Sequence, residues 1–362
     1  MNYREVEIYA PKDLGPSGTE VIDIKVKDCL SAIELIWQTT VVTAAVMTAP
    51  HVACISRIEL VDGSDVLFGL SGEEAQALAF YSSGRMPLNL ISVKAAEYMK
   101  SVIPIYFGRK LFDRQLALDP KRFANLQLKI TWNEAAANGS VAANQLTVRG
   151  WAFDKRPVSP IGFLTAKELK EYTPAASSYE YTKLPLDYPY RLLMIRSKST
   201  TIEPNAALGQ VKLDEDNDKR ISLDMTGDEI LQKIVAPLGE FEERFLGADA
   251  VTATDLYGAP TADVHAKAEV DADIIAAADD YSQSTITNNK YSWSTAVNCL
   301  YYAFRVSGFA PHSCLGIPMG DLAEIEDWYD PKGIGDLRLT TQGAASVGTS
   351  PKAQIVIQQL RS

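Results

Sequence analysis

The sequence predicts a mainly β protein built from two β domains in tandem, the second of which carries a long insertion. Three observations lead to this prediction. Short segments alternate apolar and polar residues at period two, as strands with one buried face do. The length of 362 residues suits two domains, each with its own core. Short motifs of the first half also recur in the same order in the second half.

The predicted elements of the first domain are mostly strands. The alternating segments are residues 5–9, 22–27, 127–132 and 145–149. One helix interrupts them at 71–79, because Ser71 and Glu74 have the spacing of a capping box. Residues 156–164 hold two prolines and a glycine, which oppose helix and central strand, so we predict a linker there between domains 1–155 and 165–362.

The second half repeats motifs of the first. Residues 225–229 match 70–74 at an offset of 155, and Thr226 and Glu229 repeat the capping-box spacing. An apolar–acidic turn precedes the helix in both halves. The Asp-Pro-Lys turns that begin at Asp119 and Asp330 match at an offset of 211, and the segments 145–148 and 354–357 match at 209. Four matches in one order predict an internal duplication.

The change of offset from 155 to 211 places about 56 extra residues in the second copy, within about 236–295. Between Glu240 and Asp280 there are eleven acidic and two basic residues, so this stretch alone carries −9 of the net charge of −11. Charges of one sign are expensive to bury without partners. We therefore predict an exposed loop or small subdomain at the far end of the second domain.

The sequence offers few residues for chemistry. The four cysteines (Cys29, Cys54, Cys299 and Cys314) form no Cys-x-x-Cys pair, and the three histidines (His51, His265 and His312) stand far apart. We expect buried free thiols and no zinc site. There is no Gly-x-Ser-x-Gly, phosphate-binding glycine loop or His-Glu-x-x-His motif. The prediction is a protein that is not an enzyme, with no catalytic, cofactor-binding or metal-ligating residues and no cofactor.

Three further segments of the sequence resemble functional motifs only weakly. His312-Ser313-Cys314 is interpreted as a chance tripeptide, since adjacent residues do not place a base against a nucleophile. Acidic residues of the insertion supply oxygens of the kind that Ca²⁺ prefers, yet without a twelve-residue loop pattern a solvated acidic face is favoured; these residues are Asp271, Asp273, Asp279 and Asp280. Residues 138–140 fit a glycosylation acceptor and are interpreted as a turn.

The charge and hydropathy patterns exclude other classes of function. A net charge of −11 disfavours a protein that coats nucleic acid, because phosphate contacts need an excess of Lys and Arg. No stretch reaches 18 apolar residues, and the N-terminus lacks the layout of a signal peptide. Synthesis in the cytosol is therefore expected.

Longer patterns connect the sequence with a known family. They are residues 58–67 leading into the first capped helix, residues 105–109 followed by Asp119-Pro120 and 126–128, and residues 189–195 after the linker. In these patterns, and in its two β domains with flanking helices, the sequence resembles the double jelly-roll major capsid proteins of tailless icosahedral viruses with an internal membrane. The resemblance implies two tandem eight-stranded jelly rolls, each with a short flanking helix, and a long insertion in the second.

The resemblance also implies the partners. The expected assembly is a homotrimer whose six jelly rolls form a pseudo-hexagonal capsomer of an icosahedral capsid. The implied contacts are with neighbouring capsomers, penton and minor capsid proteins and an internal viral membrane, with no sequence-specific nucleic acid. The protein would be assembled in the host cytoplasm and located in the virion. Residues 1–15 would lie at the base of the capsomer, as an arm interrupted at Pro11.

Two alternatives use the same fold class. One is a tandem jelly-roll protein that binds or acts on carbohydrate, for which Trp132 and Trp151 are candidate stacking residues; their strand patterns favour places in a sandwich core. The other is a viral spike protein. A monomer in solution or a pair of carboxylates on one sheet favours the first, and a slender trimer favours the second.

Overall fold

Strands make up most of the protein. The computed structural model describes residues 2–41, 47–92, 96–137, 141–155, 158–247, 254–270, 285–287, 290–293 and 302–362. The first half forms β1 (Tyr3–Leu14), β2 (Ser17–Asp23), β3 (Leu30–Val41), β4 (Ile55–Asp62), β5 (Asp65–Leu70), α1 (Gly72–Ser83), β6 (Asn89–Ser92), β7 (Tyr98–Tyr106), β8 (Leu126–Asn133) and β9 (Val141–Phe153). Short 3₁₀ helices lie at His51–Cys54, Pro120–Arg122 and Glu134–Ala136.

The second half repeats this element order with additions. It forms β10 (Phe163–Tyr172), β11 (Tyr179–Lys183), β12 (Tyr190–Lys198), α2 (Pro204–Ala207), β13 (Leu208–Glu215), β14 (Arg220–Met225), α3 (Gly227–Ile230), a π turn (Leu231–Val235), α4 (Ala236–Leu238), β15 (Phe241–Gly247), β16 (Thr254–Tyr257), β17 (Ala262–Val270), β18 (Thr285–Thr287), β19 (Lys290–Trp293), β20 (Tyr302–Phe309), β21 (Cys314–Pro318), β22 (Leu337–Gly343) and β23 (Lys352–Arg361). Two 3₁₀ turns lie at Pro311–Ser313 and Ile325–Asp327.

These strands build two jelly rolls with one strand order. In the first roll the strands β1-β9-β3-β7 pack on β2-β8-β4-β5, and in the second β10-β23-β12-β21 pack on β11-β22-β13-β14. Replacing each strand of the first roll by its counterpart in the chain gives the second. The expectation of two tandem eight-stranded jelly rolls is confirmed.

The repeated motifs occupy equivalent places. α1 follows β5 and α3 follows β14, and each helix begins with the predicted capping box, on Ser71 with Glu74 and on Thr226 with Glu229. In the turns before β8 and β22, Asp119 and its counterpart Asp330 each accept a hydrogen bond from the backbone N–H two residues later, at 3.1 and 3.0 Å. Sequence spacing therefore identified the repeat through its helix caps and turns.

A parallel strand pair joins the sheets of the two rolls. β5 pairs with β10, with Phe68 opposite Ala166 and Gly69 opposite Lys167. The sheets β2-β8-β4-β5 and β10-β23-β12-β21 thereby become one sheet of eight strands. Buried apolar residues from both rolls belong to the same core cluster, so the two halves share their packing.

The described part of the insertion corrects the prediction of a solvated excursion on the second roll. β15 pairs in parallel with β6 of the first roll and antiparallel with β20, which also pairs with β17. Phe241, Glu243 and Phe245 alternate along β15 and are all buried. The prediction missed this strand because it considered only the net charge of the stretch. A strand with one buried face needs an apolar residue only at every second position, so a charged segment can still form one. The segment also extends past residue 295, since β20 ends at Phe309.

Three boundaries differ from the predicted ones. β2 ends at Asp23 rather than at residue 27, because its partner β8 begins at Leu126. The linker is shorter than predicted, since β10 begins at Phe163 and buries Phe163 and Leu164. β1 continues through Pro11, which an edge strand tolerates on its unpaired side, so residues 3–14 form a strand rather than an interrupted arm.

Within the described ranges, no helix is long and apolar enough to cross a lipid bilayer.

Replacement of Ser71 by Ala removes the acceptor for the Glu74 N–H and one partner of the Glu74 carboxylate. We expect the free energy of unfolding to fall by about 1 kcal/mol, as for other N-cap serines. Urea titration followed by circular dichroism measures the change. The control, Ser178→Ala in an exposed turn, should shift the free energy by less than about 0.5 kcal/mol. Equal effects of the two substitutions would contradict the role of the capping box.

Candidate functional site

The junction between the two rolls concentrates the buried polar side chains. Helix α1 of the first roll lies against the second roll, and all of its residues from Gly72 to Tyr81 are buried. The Tyr81 hydroxyl donates to the carbonyl of Cys314 at 2.7 Å. A Cβ at Gly316 would lie 2.7 Å from the Tyr81 ring, so glycine is required where the ring crosses β21.

An ion pair ties the start of α1 to β12. The Glu73 carboxylate lies 2.5 Å from the Arg196 guanidinium and 3.4 Å from the Lys198 ammonium, and the Glu73 and Arg196 side chains are 8% and 4% exposed. Burial would raise the pKa of Glu73, but the charges of Arg196 and Lys198 outweigh it and hold that pKa well below its ordinary value. The pair is ionised at neutral pH.

Both buried arginines make further hydrogen bonds. Arg196 donates to the carbonyl of His312 at 3.0 Å and to the side chain of Gln354 at 3.1 Å. Arg191, five residues earlier on the same strand, donates to Gln358 at 2.8 Å and to Ser82 of α1 at 3.2 Å. Burial lowers the pKa of Arg191 to about 10. Both arginines thus connect the outer face of the second roll to the first roll.

A second buried network connects the junction with the insertion. His312 Nε2 lies 3.0 Å from the side-chain oxygen of Gln76, whose amide donates to Asn89 at 2.8 Å. Asn89 donates to the Glu243 carboxylate at 2.6 Å, and the backbone N–H of Ala259 donates to its other oxygen at 2.7 Å. Burial nevertheless raises the pKa of Glu243. Helix α1, β6, β15 and the turn before β21 are held together by this chain of contacts.

Two histidines that are distant in sequence meet at one small cavity. His51, His312 and Glu243 line a space of about 10 Å³, enough for about one water molecule. The turn at residues 311–313 folds back onto the first roll and brings His312 to the same cavity as His51, although 261 residues separate them in the sequence. Burial lowers the pKa of both histidines to about 3, so they are neutral. No cluster of three or more potential metal ligands occurs among the residues that the structure describes.

The tripeptide at 312–314 belongs to this junction. His312, Ser313 and Cys314 are all buried, and burial raises the pKa of the Cys314 thiol far above its ordinary value. A thiol held in the protonated form is the opposite of an activated nucleophile. Cys54 is also buried with a pKa raised to about 12, whereas Cys29 is half-buried. These three thiols are free, and Cys299 lies outside the described residues.

The other sequence candidates are placed as follows. Trp132 is buried in the core of the first roll, where its indole N–H donates to the carbonyl of Gly15 at 2.8 Å, and Trp151 is half-buried. His265 is exposed and lies 3.8 Å from Asp263. The acidic residues 271, 273, 279 and 280 and the turn at 138–140 lie outside the described residues.

Sequence reasoning missed the junction. It used Glu74 for the capping box and gave no role to the neighbouring Glu73. Arg191 and Arg196 bracket the apolar run 192–195, and a charge at each end of a buried strand was the available signal for a buried ion pair. Nothing local in the sequence indicates that Glu73 is the partner, because 123 residues separate it from Arg196.

Comparisons with known proteins identify the fold. No protein-family model and no curated protein matches the chain. Among solved structures, a chain of Sulfolobus turreted icosahedral virus is similar at a TM-score of 0.60 and 10% identity, covering 99% of this chain and 90% of that one. The major capsid protein P2 of bacteriophage PM2 is similar at a TM-score of 0.52 and 12% identity, and the match covers 99% of this chain and 98% of that one. PBCV-1 VP54 is similar at a TM-score of 0.57 and 10% identity, and the match covers 99% of this chain and 94% of that one.

The class of fold follows from these likenesses. The described residues have the double jelly-roll fold, and the chain shares that fold with the major capsid protein of bacteriophage PM2. At 10–12% identity the likeness is one of fold.

Replacement of Arg196 by Met leaves the Glu73 carboxylate buried beside Lys198 alone. We expect the free energy of unfolding to fall by about 3–5 kcal/mol, the usual cost of breaking a buried pair. Adding Glu73→Gln in the same chain should recover most of this loss. The control is Arg4→Met, which breaks an exposed pair with Asp28 and should cost less than about 1 kcal/mol.

The same pair predicts a pH dependence. Because the pKa of Glu73 is depressed in the folded protein, its contribution is present above the ordinary value of 4.5 and is lost as pH falls below it. The wild type should therefore lose more stability than the Glu73→Gln, Arg196→Met variant between neutral pH and pH 3. Parallel pH profiles of the two proteins in denaturant titrations would contradict the assignment.

Proposed function

We propose that the protein is the structural major capsid protein of an icosahedral virus, in which three copies form a pseudo-hexagonal capsomer that tiles the shell. The observation that supports this most strongly is the match along the whole chain. The match with the major capsid protein of bacteriophage PM2 covers 99% of this chain and 98% of that one, so it includes both jelly rolls of this chain. A shared single domain would be weaker support, since one jelly roll serves many functions.

The junction supports the proposal physically. A capsomer subunit must hold its two rolls at a constant angle, because every copy has to present the same lateral surfaces. The continuous eight-stranded sheet, the buried helix α1 and the Glu73–Arg196 pair all oppose rotation of one roll against the other. The proposed units are the rolls 1–155 and 165–362, joined between β9 and β10.

The proposal is a mechanical one, without an enzymatic reaction. The partners are two further copies in the capsomer, then neighbouring capsomers, penton and minor capsid proteins, and an internal membrane beneath the shell. The protein would be assembled in the host cytoplasm and located in the virion. Apart from the acid-rich stretch 240–280, the net charge is close to zero, which lets lateral surfaces of identical subunits meet without strong repulsion.

One observation favours a second candidate, carbohydrate binding. Tyr179 and Tyr181 are 49% and 58% exposed on edge strand β11, with ring centroids 6.4 Å apart and planes inclined by 17°. The guanidinium of Arg338 lies 5.7 Å from the Tyr181 ring. Exposed aromatic rings are the kind of side chain against which sugar rings stack.

Solution mass and particle shape distinguish the two candidates. Light scattering of the purified chain should give about three times its mass of 39.6 kDa, and negative-stain images should show compact hexagonal particles. A stable monomer at micromolar concentration that binds glycans would contradict the capsid proposal and support the carbohydrate-binding candidate. A slender trimer would instead support a spike protein.

A further inference from the structure

Equivalent elements of the two rolls differ in exposure. In the first roll the whole of α1 from Gly72 to Tyr81 is buried, because the second roll covers it. Its counterpart is the helical segment 227–238, which follows β14 as α1 follows β5. In that segment Asp228, Gln232 and Lys233 are exposed, and Leu231 and Ile234 are only half-buried. The surface that the first roll buries in the junction is therefore exposed on the second roll.

The first roll presents the complementary surface. In the second roll the edge of β10 is occupied by β5, whereas β1, the counterpart of β10, is the edge strand of its sheet. A groove of about 610 Å³ lies along that edge, between β1 and β2. Val6, Ile8 and Ile22 line it together with charged residues of both strands. An unpaired edge beside a groove is a surface on which a further strand can add.

We propose that the junction inside the chain is repeated between copies, with β14 and the helical segment 227–238 of one copy packed against β1 and the outer face of the β1-β9-β3-β7 sheet of the next. This inference rests on the proposed capsomer and identifies the surfaces that form it. The contact is head to tail, since each copy offers a different surface to its two neighbours. Head-to-tail contacts close into a ring when the rotation between copies allows it, and in the proposed capsomer three copies form a ring of six rolls.

The repeat gives the register of the proposed contact. The helix caps align Phe68 with Leu223 at the offset of 155. Ala166 lies opposite Gln358 on β23, and Glu7 lies opposite Arg149, the counterpart of Gln358 at the offset of 209. Since Phe68 is paired with Ala166, Leu223 of one copy is expected opposite Glu7 of the next.

Charge complementarity supports this register. Inside the chain, Leu78 of α1 lines a small space together with Ala166 and Gln358 of the second roll. The counterpart of Leu78 is Lys233, and the counterparts of Ala166 and Gln358 are Glu7 and Arg149. The position that Leu78 occupies in the junction is thus occupied by Lys233 in the proposed interface, where it would face a charged surface.

The receiving surface has an excess of acidic groups. Glu5, Glu7 and Glu34 lie around a single cation, Arg149, which is 2.6 Å from Glu5. Burial and the nearby charge of Glu5 raise the pKa of Glu34, and Arg149 only partly compensates. Lys233 is paired with Glu229 of its own helix at 2.7 Å, and from a neighbouring copy it would reduce this excess of negative charge.

Charge reversal tests the contact in the full chain. We expect Lys233→Glu and Glu7→Lys each to raise the dissociation constant of the trimer at least tenfold in sedimentation experiments, and the double variant to recover most of the loss. Both side chains are exposed, so the fold should be retained, which circular dichroism checks. The control Lys121→Glu, an exposed residue of the turn before β8, should leave association unchanged. Single reversals without effect on a trimeric wild type would overturn the inference.

Cross-linking tests the register independently. A chain with Glu7→Cys and Leu223→Cys should form disulfides between copies under mild oxidation, giving covalent species of two and three chains and no larger ones. The wild type, whose described thiols are buried or half-buried, serves as the control. A trimer without these cross-links would overturn the proposed contact and leave the capsid proposal standing. A wild type that is monomeric would contradict the capsid proposal itself.

Discussion

The parallel pairing of β5 with β10 is the constraint on which the rest of the structure depends, because it turns two sandwiches into one body. Each of these strands would otherwise be a sheet edge with unpaired N–H and C=O groups. Pairing them satisfies both edges and brings α1 against the outer face of the second roll. The burial of α1 and of the polar side chains around Glu73 and Arg196 follows from that one contact.

The polar character of the junction has a physical consequence. A buried ion pair adds little stability compared with apolar residues of the same shape, but it is costly to break. Displacing one roll from the other therefore costs more free energy than the association of the rolls gains from these polar contacts. Gln76, Asn89 and Glu243 extend the same network to the insertion, so the additional strands are held in the same frame. Such constancy of shape is what the proposed role as a capsomer subunit requires.

The sequence predicted the parts of the fold that local chemistry determines. Ser71 and Thr226 were found because a capping box has a fixed spacing, and Asp119 and Asp330 because both begin a repeated Asp-Pro-Lys turn. The strand β15 was missed, since the charge of the whole stretch concealed the alternation of Phe241, Glu243 and Phe245. Partners such as Glu73 and Arg196 are set by tertiary packing, for which a single sequence holds no local signal.

The central claim, that the two rolls form one body through their shared sheet, is tested most directly by hydrogen exchange of the backbone amides. The account predicts that amides of β5 and β10 exchange only when the whole chain unfolds, with the same opening free energy as amides of the central strands β3 and β12. Faster exchange of β5 and β10 by a local opening, while β3 and β12 stay protected, would contradict it.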